Sequence, residues 1–281
     1  MIRSTRIDAH QHFWRLARGD YRWLSPTLGP LWRDFEPEDL EPLLERHGIA
    51  GTIAVQAADT LAESLHLLDL GTRRDWILGV VGWVDLRSAE AVSDIETLSA
   101  RGKLVGLRPM LQDLEPDWIL DPGCRPALEH MQRAGLAFDA LVRPRHLAAL
   151  VRLVECCPKL RIVIDHAAKP DLAAGPDWPG WGRWREELGL LAEAGACVKL
   201  SGLLSEAQAG AGASQLRACV EELLELFGPE RVLWGSDWPV LALRADYSRW
   251  IELTEELLRN CGPIEREAVL GGNARSFYRL P

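Results

Sequence analysis

Two histidines one residue apart, His10 and His12, have the spacing in this sequence that most directly suggests chemistry. They end an apolar run that begins at Ile7, and side chains two residues apart in a strand point to the same side of a sheet. Both imidazoles can therefore face one centre, which suits a metal ion or a polarised carbonyl group. Taken alone, such a pair is more often explained by buried, hydrogen-bonded histidines, so its meaning depends on the polar residues around it.

Polar side chains also end other apolar runs. The fourth run carries Arg108, and its guanidinium suits a carbonyl or carboxylate oxygen. His166 ends the sixth run, and Asp237 ends the eighth. Lys199 and Ser201 alternate to one face of the seventh. Each of these fits a structural role in a turn, cap or salt bridge, but polar groups at several separate strand ends together predict one site.

The elements that must position these residues alternate along the whole chain. Eight short apolar runs separated by helical patterns are typical of a parallel sheet with helical crossovers. They span residues 7–12, 51–57, 77–85, 104–110, 136–142, 160–166, 197–201 and 232–237. An open doubly wound sheet usually has a glycine-rich phosphate turn after its first strand, whereas here the first run ends in histidines. We therefore predict a closed (β/α)8 TIM barrel formed by residues 1–281 as one domain, with its site at the carboxyl ends of the strands.

Helix boundaries are marked between the apolar runs. Pro37 suits the first turn of a helix that Gly48 ends. Thr60 and Glu63 have the spacing of a capping box, in which each side chain accepts a hydrogen bond from the backbone of the other residue. Helices of this length are expected as crossovers between neighbouring strands.

Composition excludes several classes of protein. The chain has 281 residues, 47% hydrophobic and 26% charged, as in ordinary globular proteins. Acids and bases are interspersed at a net charge of -9, so there is no basic stripe for nucleic acid. No apolar run is long enough for a membrane span, and the first residues lack a signal-peptide core. The six cysteines form no CxxC pair, which favours reduced thiols and a cytoplasmic location.

Several segments form recognisable motifs in a fixed order along the chain. They are Asp8-Ala9-His10-Gln11-His12-Phe13-Trp14, Val55-Gln56-Ala57, Gly82-Trp83-Val84-Asp85, Gly106-Leu107-Arg108, Asp165-His166-Ala167-Ala168-Lys169-Pro170, Lys199-Leu200-Ser201-Gly202 and Gly235-Ser236-Asp237-Trp238-Pro239. They resemble amidohydrolase family 2, and within it the sugar lactonases and the pyrone-dicarboxylate lactonases. The resemblance covers nearly the whole chain and implies a distorted (β/α)8 barrel with hydrolytic chemistry at its mouth.

The resemblance also implies roles for the strand-end residues. In the wider superfamily, the first-strand histidine pair, a sixth-strand histidine and an eighth-strand aspartate surround one or two divalent metals, and here these positions are His10, His12, His166 and Asp237. The fourth strand offers Arg108 where a bridging ligand would be, and the fifth has no histidine. We therefore expect at most one divalent metal, such as zinc. Lactonases of this group that work without a metal leave a metal-free site open as well.

The mechanism we expect is opening of a sugar-acid lactone, with no organic cofactor. Asp237 would be the general base for the attacking water, since an aspartate is ionised at neutral pH. The three histidines and Arg108 would polarise the carbonyl group. Other candidate substrate contacts lie near strand ends: Lys199, Ser201, Trp14, Trp83 and Trp238. For the tryptophans, which could pack against a sugar ring, a place in the core is the commoner role.

Two alternative functions remain open at this stage. A zinc-dependent decarboxylase of a small acid shares the same first-, sixth- and eighth-strand residues. A sugar-acid binding protein without catalysis is the alternative from another class, although the complete polar set speaks against it. A dicarboxylate substrate would need several cations, and only Arg108 can be assigned, which favours a neutral sugar lactone. The sequence indicates neither the particular sugar nor the oligomeric state.

Overall fold

Eight parallel strands, neighbours in chain order, form the sheet of the computed structural model, which describes residues 5–281. They are β1 (Ile7–Gln11), β2 (Gly51–Val55), β3 (Ile77–Gly82), β4 (Leu104–Leu107), β5 (Ala137–Ala140), β6 (Arg161–Ile164), β7 (Cys197–Leu200) and β8 (Val232–Trp234). The last strand meets the first through two backbone hydrogen bonds, from Asp237 to the His10 carbonyl (2.8 Å) and from His12 to the Trp238 carbonyl (2.7 Å). The predicted (β/α)8 barrel is confirmed.

Helices connect the strands and surround the sheet. They are α1 (Pro37–His47), α2 (Leu61–Arg73), α3 (Ala91–Ser99), α4 (Arg125–Ala134), α5 (Leu147–Cys156), α6 (Trp181–Glu193), α7 (Leu203–Glu206), α8 (Ala213–Phe227), α9 (Tyr247–Leu257), α10 (Pro263–Glu267) and α11 (Asn273–Phe277). Within residues 5–281, none of them is both long enough and apolar enough to cross a membrane.

The strands end earlier than the apolar runs predicted. The sixth was expected over 160–166, but β6 ends at Ile164, and the eighth was expected over 232–237, but β8 ends at Trp234. The polar residues that follow leave the extended conformation: the backbone φ is 53° at His166 and 58° at Asp237. These left-handed residues turn the chain out of the sheet, and such conformations in residues other than glycine are concentrated at functional sites.

One predicted helix start is only half correct. The first helix begins at Pro37 and ends before Gly48, as expected. At α2, the Thr60 hydroxyl oxygen accepts a hydrogen bond from the Glu63 backbone (3.1 Å). The Glu63 carboxylate, however, accepts from the backbone N–H of Ala57 (2.9 Å) and not from Thr60. Glu63 is fully buried and is directed at the end of β2, so it positions that strand end and does not complete the capping box.

The barrel interior below the site is apolar. Alternate strand residues, such as Ile7, Val55 and Val163, form a small buried cluster there. Tyr278, which follows α11, belongs to the same cluster. The chain end therefore packs under the barrel, and the polar layer at the carboxyl ends of the strands rests on an apolar layer.

Candidate active site

A cavity of about 260 Å³ opens at the carboxyl ends of the strands. Its volume lies slightly below the range of about 300–1,000 Å³ that is usual for ligand pockets, and it suits one small molecule. It is lined by His12, Trp23, Ala57, Arg108, Met110, Gln112, Asp113, Leu141, His166, Lys169, Ser205, Glu206, Asp237 and Val240. Four of the predicted site residues are in this lining, namely His12, Arg108, His166 and Asp237.

A single carboxylate oxygen faces three imidazoles on the pocket floor. Asp237 Oδ1 lies 3.4 Å from His12 Nε2, 3.8 Å from His10 Nε2 and 3.9 Å from His166 Nε2. All four residues are at least 96% buried, with relative exposures of 4% or less. The structure therefore brings together the four residues that the sequence placed at one centre.

Contacts at Nδ1, on the side of the ring away from Asp237, orient two of the imidazoles. His12 Nδ1 donates to the Val55 carbonyl at 2.8 Å, which directs its Nε2 at Asp237. His166 Nδ1 lies 2.9 Å from the Ser201 hydroxyl. The backbone of Gly202 passes so close that a Cβ there would lie 2.3 Å from His166 Nδ1. A residue without a side chain is therefore needed beside this imidazole.

The turn that carries Asp237 is held by a buried aspartate on β1. Asp8 accepts hydrogen bonds from the Ser236 backbone (2.8 Å), the Ser236 hydroxyl (2.6 Å) and the Tyr247 hydroxyl (2.9 Å). Burial raises the pKa of Asp8 to about 6, although these hydrogen bonds oppose the rise. Ser236 thus connects the eighth strand end to the first, directly before Asp237.

Gln56 holds Arg108 in place at the pocket wall. Arg108 Nε and Nη2 donate to Gln56 Oε1 at 3.1 and 2.7 Å, and Nη2 also donates to the Gln56 backbone carbonyl. The Gln56 amide nitrogen donates to the Arg108 backbone carbonyl at 3.2 Å. Arg108 Nη1 remains for the site, where it lies 3.3 Å from His10 Nε2 and 3.4 Å from Asp165 Oδ2.

A buried charge cluster lies beneath the pocket floor, and it includes Lys199. Lys199 Nζ lies 2.5 Å from Asp139 Oδ2, 3.0 Å from Asp165 Oδ1 and 3.0 Å from His10 Nδ1. The Tyr278 hydroxyl donates to Asp139 Oδ2 at 2.6 Å. Burial raises the pKa of Asp139. Burial also acts on Asp165, but the charge of Lys199 and the contact with His10 outweigh it, so its pKa lies well below the usual range.

The structure places Lys199 and Ser201, the other predicted substrate contacts, behind the groups that face the pocket. Both side chains are fully buried and lie outside the pocket lining. Lys199 neutralises carboxylates under the floor, and Ser201 contacts the far side of His166. Ser201 therefore acts on His166, which lines the pocket, whereas Lys199 acts on groups beneath the lining.

The ionisation of the floor favours an anionic carboxylate among neutral imidazoles. Burial alone would raise the pKa of Asp237, but His166 and a hydrogen bond with His12 outweigh it, so the pKa lies below the ordinary value. Burial lowers the pKa of His166 to about 4. Burial and the charge of Lys199 lower the pKa of His10 as well. At neutral pH, Asp237 is consequently ionised while His10 and His166 are uncharged.

The three tryptophans near strand ends, for which a place in the core was the commoner expectation, lie outside the pocket lining. Trp14 is fully buried and donates its indole N–H to the Arg33 carbonyl at 2.9 Å. Trp238 packs edge-on against Phe35, and Trp83 is half-buried outside the pocket. Trp14 and Trp238 belong to the hydrophobic core. The ring that does line the pocket is Trp23, in the segment between β1 and α1.

Sequence reasoning missed most of the pocket walls. Trp23 lies far from any strand end, so its position gave no signal. Lys169 belongs to a recognised motif, but it lies three residues beyond the apolar run 160–166, so nothing in the sequence marked it as a pocket residue. Ser205 and Glu206 lie on α7, a single helical turn inside what reads as a loop. Wall residues on loops of this kind depend on tertiary packing.

Some of the floor residues could hold a metal ion. Ligand atoms of His10, His12 and Asp237 all lie within 4.8 Å of one another, and so do those of His10, Asp165 and His166. Asp165 is already engaged by Lys199 and by Arg108. The first group is therefore the better candidate.

Comparison with known proteins agrees with this geometry. The profile of the amidohydrolase family matches residues 7–280, nearly the whole chain. The chain belongs to the amidohydrolase family. The family resemblance that the sequence motifs predicted is thus confirmed. The polar residues at the barrel mouth lie at the carboxyl ends of the strands, where TIM-barrel enzymes have their active sites.

Two curated relatives are lactonases. An L-fucono-1,5-lactonase from Burkholderia ambifaria is 46% identical over 280 residues, which cover 98% of this chain and 96% of that protein. An L-fucono-1,5-lactonase from Burkholderia multivorans is 37% identical and covers 99% of this chain and 97% of that protein.

Solved structures of similar proteins extend the comparison. A crystal structure of an amidohydrolase from Burkholderia multivorans with bound zinc has a TM-score of 0.91 and 36% identity, covering 99% of this chain and 100% of that one. A probable 2-pyrone-4,6-dicarboxylic acid hydrolase from Acinetobacter baumannii has a TM-score of 0.81 at 18% identity, covering 98% of this chain and 99% of that one. At that identity the likeness concerns the fold alone.

Proposed function

We propose that this amidohydrolase is a lactonase that opens a sugar-acid lactone to the free aldonic acid. The observation that carries the proposal is the Asp237 carboxylate facing three imidazoles on the floor of a small pocket. The two L-fucono-1,5-lactonases that resemble the chain over nearly its full length support the reaction class and make L-fucono-1,5-lactone the first candidate substrate.

Asp237 is the general base in this proposal. It is ionised at neutral pH and lies at the pocket floor, where a water can stand between it and a lactone carbonyl. The water oxygen attacks the carbonyl carbon while one of its protons passes to Asp237. The bond from that carbon to the ring oxygen then breaks, and the proton on Asp237 passes to the leaving alkoxide. The new carboxylic acid loses its remaining proton to solvent.

Two side chains are suited to stabilise the developing oxyanion. Arg108 directs Nη1 at the floor because its other nitrogens are held by Gln56. His166 Nε2 carries a proton when the Ser201 hydroxyl donates to Nδ1. His12 is less suited to this role, because its Nδ1–H is used by the Val55 carbonyl and its Nε2 is the imidazole nitrogen nearest to Asp237 Oδ1. Loss of one oxyanion donor typically costs about 100-fold in rate.

The floor residues also fit a single zinc ion. Zinc takes imidazole nitrogens and carboxylate oxygens, and His10, His12 and Asp237 offer such atoms close together. The hydrogen bond from His12 Nδ1 to a backbone carbonyl is the outer contact that metal-binding histidines usually make. We propose that these three residues would hold the ion. When bound, zinc would supply a Lewis acid for the carbonyl and lower the pKa of a water.

The pocket charges favour a neutral substrate over a dicarboxylate. Two cations line the pocket, and each is already paired with a carboxylate: Arg108 with Asp165, and Lys169 with Glu206. A substrate with two carboxylates would have to displace both partners. A polyhydroxylated lactone can instead donate to and accept from groups that stay paired.

The test is proton release in weak buffer from a set of lactones, with L-fucono-1,5-lactone, L-rhamnono-1,4-lactone and 2-pyrone-4,6-dicarboxylate among them. The protein is used with measured zinc content, before and after treatment with a chelator. Turnover of a sugar lactone is the expected result, and its loss on chelation with recovery on adding zinc would assign the metal. Failure to open any lactone would reject the proposal and favour a binding protein, and carbon dioxide release from an aromatic acid would favour a decarboxylase.

We further propose a reducing compartment, such as the cytoplasm, for this enzyme. All six cysteines are free thiols, and the neighbours Cys156 and Cys157 are unlinked. Disulfides are usual in exported proteins and rare in cytosolic ones.

A further inference from the structure

An ion pair closes one side of the pocket above the catalytic floor. Lys169 Nζ lies 2.7 Å from Glu206 Oε1, and the two side chains are 12% and 25% exposed. The pair joins the segment after β6 to α7, which follows β7. Both residues line the pocket. The pair is therefore a wall of the site and not a feature of the outer surface.

The backbone directs Lys169 into this position. Residues His166 to Lys169 all have left-handed φ values between 53° and 58°, and the Lys169 N–H donates to the His166 carbonyl at 2.8 Å. On the other loop, Ser205 precedes Glu206 and its hydroxyl lies 3.4 Å from Asp237 Oδ2. Each member of the ion pair is thus attached through a few residues to a group of the catalytic floor.

Stability does not account for this pair. Partly exposed ion pairs contribute only about 0–1 kcal/mol, whereas an unusual run of left-handed residues opposes folding. The pair offers three N–H donors on Lys169 and two acceptor oxygens on Glu206. Neighbouring hydroxyl groups, each both donor and acceptor, can bind to such a pair without breaking it.

A fixed aromatic ring also lines the pocket. The Trp23 indole N–H donates to the Ala57 carbonyl at 2.7 Å, and the ring packs edge-on against Trp14 with centroids 5.4 Å apart. Trp23 nevertheless remains 38% exposed. A large ring that is anchored yet exposed in a pocket offers apolar area at little cost in conformational entropy.

We propose that Lys169 and Glu206 are the specificity-determining pair of this enzyme and bind adjacent hydroxyl groups of the substrate, while Trp23 covers the C–H face of its ring. The inference rests on the proposed lactonase function and assigns the substrate class as polyhydroxylated lactones. Lys169 donates to one hydroxyl oxygen, and Glu206 accepts from the neighbouring hydroxyl. A lactone whose ring carbons carry no hydroxyl groups makes neither the contact with Lys169 nor the contact with Glu206.

The expected selectivity is moderate, for a physical reason. A site whose polar groups are left unpaired by a poorer substrate can reject it by about 10,000-fold or more. Here Lys169 and Glu206 satisfy each other when no hydroxyl is bound. A lactone without hydroxyl groups is therefore disfavoured only by the contacts it lacks, roughly 10- to 100-fold in kcat/KM.

The test compares L-fucono-1,5-lactone with δ-valerolactone, which has a six-membered ring without hydroxyl groups. The variants are Lys169→Met and Glu206→Gln, and Glu252→Gln on the exposed side of α9 is the matched control. We expect kcat/KM for the sugar lactone to fall about 10- to 100-fold in both variants, mainly through KM, so that the preference over δ-valerolactone shrinks by a similar factor. Thermal melting of each variant checks that the fold is kept.

Each outcome separates this inference from the function it rests on. If the wild-type enzyme opens neither lactone, the proposed function fails and the inference with it. If the wild type opens both and the two variants keep the wild-type preference for the sugar lactone, only the inference is overturned. A loss of kcat with an unchanged preference would also overturn it, because the pair would then act on the floor and not on substrate hydroxyl groups.

Discussion

The side chain of Gln56 accepts two hydrogen bonds from the Arg108 guanidinium and donates one to the Arg108 backbone. Arg108 is only 3% exposed, so these bonds fix the guanidinium in a desolvated wall. Gln56 comes directly after β2 and Arg108 directly after β4. The relationship therefore ties two strand ends together and leaves Nη1 as the guanidinium nitrogen for the site.

We predict that Gln56→Ala lowers kcat/KM for lactone hydrolysis by about 100-fold, as for loss of an oxyanion donor. The arginine is still present in this variant, but its position is no longer fixed. The measurement is steady-state proton release, with Gln132→Ala, on the outer helix α4, as the control. Unchanged kinetics in Gln56→Ala would show that Arg108 needs no support.

Lys199 is predicted to contribute mainly to the free energy of unfolding. Lys199→Met leaves Asp139 and Asp165 buried without their lysine, and breaking a buried pair by removing one partner typically costs about 3–5 kcal/mol. Urea unfolding measures the free energy, and Lys159→Met at the surface should stay within about 0.5 kcal/mol of the wild type. A loss below about 1 kcal/mol for Lys199→Met would contradict a role in charge balance.

Glu63 is predicted to make stability depend on pH. Burial raises its pKa from 4.5 to about 8, so the folded state holds the proton more tightly than the unfolded state. Its contribution is complete below pH 4.5 and is lost as pH rises toward 8. Glu63→Gln should therefore raise the melting temperature above pH 8 by on the order of 5 °C, with little change at pH 4.5.

Melting curves across this pH range check the assignment, with the exposed Glu252→Gln variant as control. The control should follow the wild type at every pH. A Glu63→Gln variant that does the same would show that Glu63 titrates equally in the folded and unfolded states.

The rate is predicted to fall only at low pH, below pH 5. The pKa of Asp237 is below its ordinary value, and that of His166 is about 4. The base therefore stays ionised and His166 stays neutral at pH 5, so kcat/KM at pH 5 should remain within about twofold of its value at pH 7. A stopped-flow or pH-stat profile measures this. An acid limb centred near pH 6 would assign the base to another group.

The fold and the grouping of polar residues on the pocket floor could be predicted because both follow from local patterns. Apolar runs alternating with helical segments determine the barrel, and the strand-end position of a polar residue such as Asp237 is visible in the sequence. Strand lengths could not be predicted, since the left-handed turn at His166 gives no signal in composition. The position of Lys199 beneath the pocket floor could not be predicted either. Strand alternation indicates the face on which a residue lies, but not the layer of the barrel interior to which it belongs.

The residues of the pocket walls could not be predicted from the sequence, for a different reason. Trp23 and Glu206 come from connecting segments, and their positions depend on how those segments pack against the barrel. Trp14 was the more obvious aromatic candidate, being next to the histidine pair, but the Trp14 ring supports Trp23 from behind. The sequence-based candidate, Trp14, is the supporting ring, and the ring at the pocket, Trp23, was not a candidate.

The most direct test of the whole account is the turnover of L-fucono-1,5-lactone by Asp237→Asn, measured by proton release beside the wild type and the exposed control Asp117→Asn. General-base catalysis typically contributes about 100- to 10,000-fold. The account predicts a fall in kcat of that size for Asp237→Asn, with a folded protein by thermal melting and an unaffected control. An Asp237→Asn enzyme that turns over near the wild-type rate would contradict the assignment of Asp237 as the base.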